Sequence, residues 1–342
     1  MQTLTDAMEA VRRLVDQRLT TALDAAILDA KHRALDAVPM MEQIHALTVR
    51  GGKRLRPVMV MAAVECTAPW ESLRDATIDV GAAIELLQSY LLIHDDWMDG
   101  DTVRRGGPTV HVALAKTYNH DHNGASTAIL AGDMACALAQ ELVVNAELPG
   151  DRLRETLRAF VAMQREVILG QTLDVLGAKD IDVIHDLKTG SYTVRGPIAL
   201  GHAVAGGSLE AWGALESFAR PIGIAFQLRD DIIGTFGDEK ETGKTSATDL
   251  RVGKKTAPVA FALEKLDAKG RAELESLLGK DDDSAVARAR TLIEDIGALN
   301  AVEERIVSLR DRAMASLEHT SIRREGAKLL SGLAHVMTDR RK

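Results

Sequence analysis

Apolar residues in this chain recur at steps of three and four, and over no useful length do they alternate. Leu4, Met8, Val11, Val15, Leu19, Ala22 and Ala26 form one stripe near the N-terminus. A second segment, from about Glu71 to Asp99, carries Ile78, Ala82, Leu86, Tyr90, Ile93 and Trp97 on or near one stripe. That spacing follows the turn of an α-helix and does not suit the two faces of a strand. Composition agrees. Aromatics are 3% of the chain, and Ala, Leu, Glu, Arg and Asp dominate, which favours helix. The chain therefore reads as all-α, one domain over residues 1–342. It should hold roughly ten or more helices, several of about 20 residues and so about 30 Å long.

Glycine and proline punctuate the pattern. Pro39 and "RGGKRLRP" (Arg50–Pro57) interrupt it, and "GDTVRRGGP" (Gly100–Pro108) reads as a loop. "DHNG" (Asp121–Gly124) reads as a turn with a helix following to about Ala146. "LPGD" (Leu148–Asp151) is another turn, with Asp151 placed to cap the next helix. Further breaks are expected near Gly177, Gly206–Gly207, Pro221, Gly234–Gly253, Gly279–Asp283 and Gly297. A net charge of −8 argues against a nucleic-acid binder. Cys66 and Cys136 form no CxxC, and the N-terminal "MQTLTDAMEAVRRLVDQ" has no signal-peptide core. The most apolar stretch, "AILAGDMACALAQELVV", is interrupted by Asp133 and Glu141, so no membrane span is expected, and a cytoplasmic location is.

The chemistry concentrates in "LLIHDDWMDGDTVRRGGPTVH" (Leu91–His111), where an apolar helix ends in Asp95, Asp96, Asp99 and Asp101. Asp95 and Asp99 are i and i+4, so they share a face and repel by about 0.2–0.5 kcal/mol. The helix end adds its own partial negative charge. "LLQSYLLI" just before is too apolar for a solvated surface, so the cluster calls for a cation. Oxygen ligands without a His or Cys companion favour Mg²⁺ over zinc. "FQLRDDIIGTFGD" (Phe226–Asp238) repeats the theme, with Gln227 and Asp231 at i and i+4 and Asp230 between them. Mg²⁺ often shares its shell with substrate phosphates, and phosphate needs cations. Candidates are Lys53, Arg54, Arg56, Arg104, Arg105, Lys188, Lys244, Lys254 and Lys255. Each alone reads equally well as surface charge.

Taken in order, these motifs resemble the trans-isoprenyl diphosphate synthase (polyprenyl synthetase) family. The match runs from about Gly51 to Lys255: "GGKRLRP", "DDWMD" with "RRG", "GQTLD" (Gly170–Asp174), "KTGSY" (Lys188–Tyr192), "FQLRDD" and "TGKTSATDLRVGKKT" (Thr242–Thr256). The resemblance implies a single large helical bundle around a central apolar cavity. It also implies head-to-tail prenyl transfer from an allylic diphosphate (dimethylallyl, geranyl or farnesyl) to isopentenyl diphosphate. By resemblance, Lys53, Arg56, Gln88 and Arg105 hold isopentenyl diphosphate, and Arg104, Lys188, Lys254 and Lys244 hold the allylic partner. Asp95, Asp99 and Asp230 ligate Mg²⁺ (about three ions; Mn²⁺ is an alternative), with Asp96, Asp174 and Asp231 in support. Gln171, Thr189, Tyr192 and Gln227 line the reacting centre. A homodimer is common in such a family.

Tyr90 and Leu91 look like the family's short-chain geranylgeranyl (C20) pattern, with farnesyl (C15) as the alternative. Leu91 and Leu87 would line the upper tunnel, and Tyr90 either forms its floor or packs against a neighbouring helix. One departure is Gly234, where many members carry a third aspartate. A terpene cyclase would lack "GGKRLRP", and a non-catalytic partner subunit would lose the aspartates. A di-iron bundle needs paired Glu-x-x-His motifs, and only Glu42–His45 occurs. His94 reads as a packed helix-end residue more readily than as a zinc ligand. Trp97 reads equally as a wall of the site or as packing. The tail Asp339–Lys342, including Arg340, Arg341 and Lys342, reads as solvated, with closure over the phosphates as the alternative.

Overall fold

The structure is a computed structural model that describes residues 3–178, 180–237 and 247–340. Helix α1 (Leu4–Arg33) opens on a capping box: Asp6 N–H donates to the Thr3 hydroxyl and Thr3 N–H donates to the Asp6 carboxylate. It buries Ala7, Val11, Val15, Leu19 and Leu23, the face its periodicity marks. Helix α2 (Val38–Val49) takes Pro39 in its first turn, where a missing N–H costs nothing. Helix α3 (Leu55–Glu65) is buried from Pro57 to Glu65 and runs through the middle of the molecule. Helix α4 (Arg74–Met98) packs on α3, on α1 and on α6 (Asp121–Val144). Between them lies α5 (Val110–Tyr118).

Helix α7 (Gly150–Val175) leads through the single turn α8 (Ile181–Ile184) into a π-helix over His185–Arg195. Helices α9 (Gly196–Ala205) and α10 (Leu209–Phe236) follow. Among the described residues that follow, further helices lead to Ala298–Ser316 and Arg324–Thr338. A main core centred on α1, α3, α4 and α9 is joined by two smaller clusters among the C-terminal helices.

Three local expectations change. Pro221 lies inside α10 and does not break it. The carbonyl it leaves without a donor belongs to the exposed Ser217, where water can satisfy it. Asp151 caps nothing: α7 starts at Gly150, so the carboxylate sits in the first turn, where the helix dipole still favours it. Val103–Arg104 pairs antiparallel with Gly107–Pro108, a ribbon too short to show as alternation. Its turn, Arg105 and Gly106, has positive φ at both residues, as a two-residue hairpin requires. By length and composition alone, the segments Trp70–Met98 and Asp121–Val144 could cross a membrane, a test that buried core helices also meet. Acids interrupt both segments: Asp79 and Glu85 in the first, Asp133 and Glu141 in the second. Of the most apolar 18 residues, 72% are buried inside the protein in the first segment and 44% in the second.

Candidate active site

The last turn of α4 carries Asp95 and Asp96, and the hairpin after it folds back over them. Asp96 is fully buried. Arg104 Nε donates to its Oδ1 at 2.6 Å, and Arg104 Nη2 reaches Asp101 at 2.9 Å and Asp95 at 3.8 Å. The hairpin thus returns the Arg104 guanidinium to the acids that precede it in the chain. Burial raises the Asp96 pKa and Arg104 opposes that rise, while burial and the neighbouring Asp95 raise that of Asp99. Asp96 Oδ2 is buried without a hydrogen-bond partner.

The second wall comes from α7 and the π-helix. They approach so closely that a Cβ on Gly170 would lie 2.2 Å from the backbone nitrogen of Lys188. Glycine in "GQTLD" thus lets the π-helix carry Lys188 up to the aspartates. Lys188 Nζ donates to Asp174 and, at 3.3 Å, to Asp95. Gln171 Nε2 donates to the same Asp95 oxygen at 3.0 Å. Burial pulls the Lys188 pKa down, but Asp95 and Asp174 outweigh it and keep the ammonium charged.

Two cavities meet at Lys188 and Thr189, which line both. The first, about 400 Å³, is walled by α4 and α7 and includes Tyr90, Leu91, Asp95, Gln171 and Tyr192. The second, about 370 Å³, includes Asp174, His185, Gln227, Asp230, Asp249 and Lys254. Asp230 faces this space with Arg340 paired to it. Asp231 turns away. It is buried, accepts from Gln227 Nε2 at 2.9 Å, and accepts from the Ala257 N–H at 2.8 Å. It therefore fixes the start of the helix Ala257–Lys265.

The basic group stands beside the site, although Lys53, Arg56, Arg104 and Arg105 line neither cavity. Arg56 stacks its guanidinium 4.3 Å from the Tyr192 ring centroid and donates to Thr193 at 3.0 Å. Arg105 donates to the Gly51 carbonyl at 2.9 Å. Its pKa is lowered by burial and by the crowding of Arg54, Arg56 and Arg104, although Glu85 opposes this. Lys53 is exposed in the loop beside them. Arg54 has another role. Nearly fully buried at positive φ, it binds Asp16 at 2.8 Å, Glu85 at 2.6 Å and the Thr48 carbonyl at 2.8 Å. Its fork is spent on the fold, not on a phosphate.

Gln88 is half-buried on α4 and lines neither cavity. Leu87 is fully buried in the main core and also lines neither. Trp97 is 43% exposed on the outside, so it walls nothing. Lys244 and Asp238 lie outside the described residues, as do Arg341 and Lys342. Arg340 is not a solvated tail residue: its guanidinium stacks 4.1 Å from the Phe226 ring and pairs with Asp230. Burial, Arg229 and Arg56 together bring its pKa down to about 10.

Sequence reasoning missed His185 and Asp249. His185 carried no motif. Asp249 sat unremarked in "TSATDL", yet its carboxylate occupies the space a Cβ on Gly234 would need, at 2.0 Å from that position. The glycine in "DDIIG" admits an acid from elsewhere in the chain.

Among the described residues no three acid, His or Cys side chains converge tightly enough to cage a metal ion. The donor set still suits a hard cation. Carboxylates on α4, α7 and α10 face the joined cavities with cations between them, an arrangement that fits Mg²⁺ sharing its shell with water and substrate phosphates.

Comparison with known proteins agrees with this geometry. A model of the polyprenyl synthetase family matches residues 38–296. A geranylfarnesyl diphosphate synthase from Aeropyrum pernix is 36% identical over 304 residues, 85% of this chain and 91% of that protein. A farnesyl diphosphate synthase from Escherichia coli is 35% identical over 248 residues, 68% of this chain and 78% of that protein. The crystal structure of a Corynebacterium glutamicum geranylgeranyl pyrophosphate synthase, complexed with isoprenyl diphosphate and magnesium, superposes with a TM-score of 0.88. It is 33% identical and covers 96% of this chain and 98% of its own. With its ordered motifs set around one pair of joined cavities, the chain belongs to the polyprenyl synthetase family, whose members are prenyltransferases.

Proposed function

We propose that this protein condenses isopentenyl diphosphate with an allylic diphosphate, and that its main product is geranylgeranyl diphosphate. The carrying observation is the juxtaposition of acids and cations at the mouth of an apolar cavity. Asp95 and Asp174 meet Lys188 there, and Leu91, Val167 and Ile168 wall the cavity below. Bound Mg²⁺ would supply charge neutralisation for the departing diphosphate. Asp95, Asp99 and Asp230 would hold it, with Asp174 and Asp249 beside them.

The chain's own groups do the rest. Lys188, Arg104 and Lys254 hold the allylic diphosphate as its C–O bond breaks and the electron pair leaves with the phosphate. Arg56, Arg105 and Lys53 hold isopentenyl diphosphate so that its double bond faces the allylic carbon. A C–C bond forms, and the proton lost from the adjacent carbon passes to the released diphosphate. Thr189, Tyr192, Gln171 and Gln227 line the reacting centre. The aliphatic walls keep out water that would quench the cation. Arg104 arrives already bound to Asp96 and Asp101, so it comes pre-oriented.

The C20 product rests on Tyr90, which lines the cavity beside the non-aromatic Leu91. A second copy of the chain would cover the exposed apolar face of α6 and α7, where Ile129, Leu130, Val161 and Leu169 stand in solvent. The test has two arms. Asp95→Ala and Asp230→Ala should lose prenyl transfer while helicity by circular dichroism stays intact. Tyr90→Ala should lengthen the product beyond C20. Near-wild-type turnover in either aspartate variant, or an unchanged chain length in Tyr90→Ala, refutes the corresponding part.

A further inference from the structure

Tyr90 packs against the main core, and among the described residues its one aromatic contact is with His94. The two rings stand one helical turn apart on α4, edge to face, with centroids 4.9 Å apart at 69°. His94 is itself held from α6. Its Nε2 lies 2.9 Å from the Ile129 carbonyl, and since a carbonyl only accepts, that nitrogen carries the proton and donates. Asp133 Oδ1 stands 4.0 Å from the same nitrogen.

The imidazole reaches this position only because α6 has no side chain at Gly132. A Cβ there would lie 2.2 Å from His94 Nε2 and 2.4 Å from its Cδ2. Side-chain atoms do not tolerate such distances, so any larger residue at 132 displaces the ring. Gly132 is a mid-helix residue with no positive φ, so turn geometry does not call for glycine here. A glycine inside a helix costs about 1 kcal/mol against alanine. The slot offsets that cost only if the seated histidine has a use. His94 also lines the apolar cavity, as does Tyr90.

We propose that His94, seated in the Gly132 slot, is the positioning residue that fixes the Tyr90 ring and so sets the length of the prenyl chain the cavity accepts. The proposal rests on the reading of Tyr90 as the floor of that cavity. With the imidazole removed, the Tyr90 ring turns into the vacated space and the cavity deepens. Gly132 then controls chain length from behind the wall, without touching the substrate.

The test sizes the products of four variants of the full chain by chromatography: Tyr90→Ala, His94→Ala, Gly132→Ala and the double variant His94→Ala/Gly132→Ala. Product length reads floor position, which a general loss of stability or turnover does not move. His94→Ala should shift the main product by one or more five-carbon units, in the same direction as Tyr90→Ala. Gly132→Ala should shift it too, because the new Cβ evicts the ring. In the His94→Ala background the Gly132 substitution should then be silent, a non-additivity expected only of residues acting through one contact. If Gly132→Ala alone fails to fold, the double variant, whose slot is empty, still reports. A lengthened product from Tyr90→Ala with a wild-type product from His94→Ala overturns this inference and leaves the floor intact. An unchanged product from Tyr90→Ala overturns the floor itself, and the inference with it.

Discussion

Arg54 and Arg56 stand two residues apart in one basic motif and do opposite work. Arg54 is buried with Glu85 at its side, the two side chains 3% and 4% exposed. Such a pair gains little over an apolar core but is costly to break, because the survivor is left charged and unpaired. Arg54→Ala should therefore lower stability by about 3–5 kcal/mol in denaturant unfolding. Arg56 keeps its guanidinium on the Tyr192 face, at the cavity side. Arg56→Ala should raise the KM for isopentenyl diphosphate at least tenfold more than the KM for the allylic substrate, because lysine or water cannot reproduce a fork on phosphate. Equal changes in both constants would refute the partition. The sequence could not separate these two arginines: nothing in "GGKRLRP" says which side chain meets Glu85, thirty-one positions away. The same holds for Asp231, whose neighbour Asp230 faces the cavity while Asp231 anchors the Ala257 N–H.

At the scale of elements, helix existence was legible and helix ends were not. The stripes of α1 and α4 follow directly from apolar spacing, since burial of one face decides it. Pro221 and Asp151 were misplaced because the solvent exposure of Ser217 and the start of α7 at Gly150 depend on packing. The π-helix was invisible for a similar reason: it exists where Gly170 lets another chain segment press close. Gly170→Ala should push that segment and Lys188 away by an ångström or so, costing about 100-fold in turnover with the helical content unchanged. A second prediction concerns His202, packed against Trp212 at 5.5 Å. Burial lowers its pKa below the ordinary value of 6.5, and its Nδ1 has no partner. In the unfolded chain it takes up a proton first as pH falls, so stability should drop as pH falls through 6.5 toward the lowered folded value. His202→Phe should flatten that part of the stability–pH curve; an unchanged slope would contradict it.

For the whole molecule, the charge pattern is the organising fact. A net charge of −8 coexists with a local group of cations: Arg104 and Lys188 at the Asp95 carboxylate, Arg56 on the Tyr192 ring and Arg105 near them, each held by acids, a hydroxyl, a carbonyl or a ring. Anion binding by so acidic a chain requires its cations to be concentrated locally. Motif order placed most of the residues that meet there. Asp249 escaped because it reaches the site through space made by Gly234, which along the sequence reads only as a departure from the family pattern. The most direct measurement is product analysis of the purified protein with isopentenyl diphosphate and farnesyl diphosphate, with Mg²⁺ and again with excess chelator. Prenyl transfer predicts release of inorganic diphosphate in step with a C20 diphosphate, and neither when the metal is removed. Absence of any elongated prenyl diphosphate with Mg²⁺ and each allylic substrate, from protein that remains folded, would contradict the account.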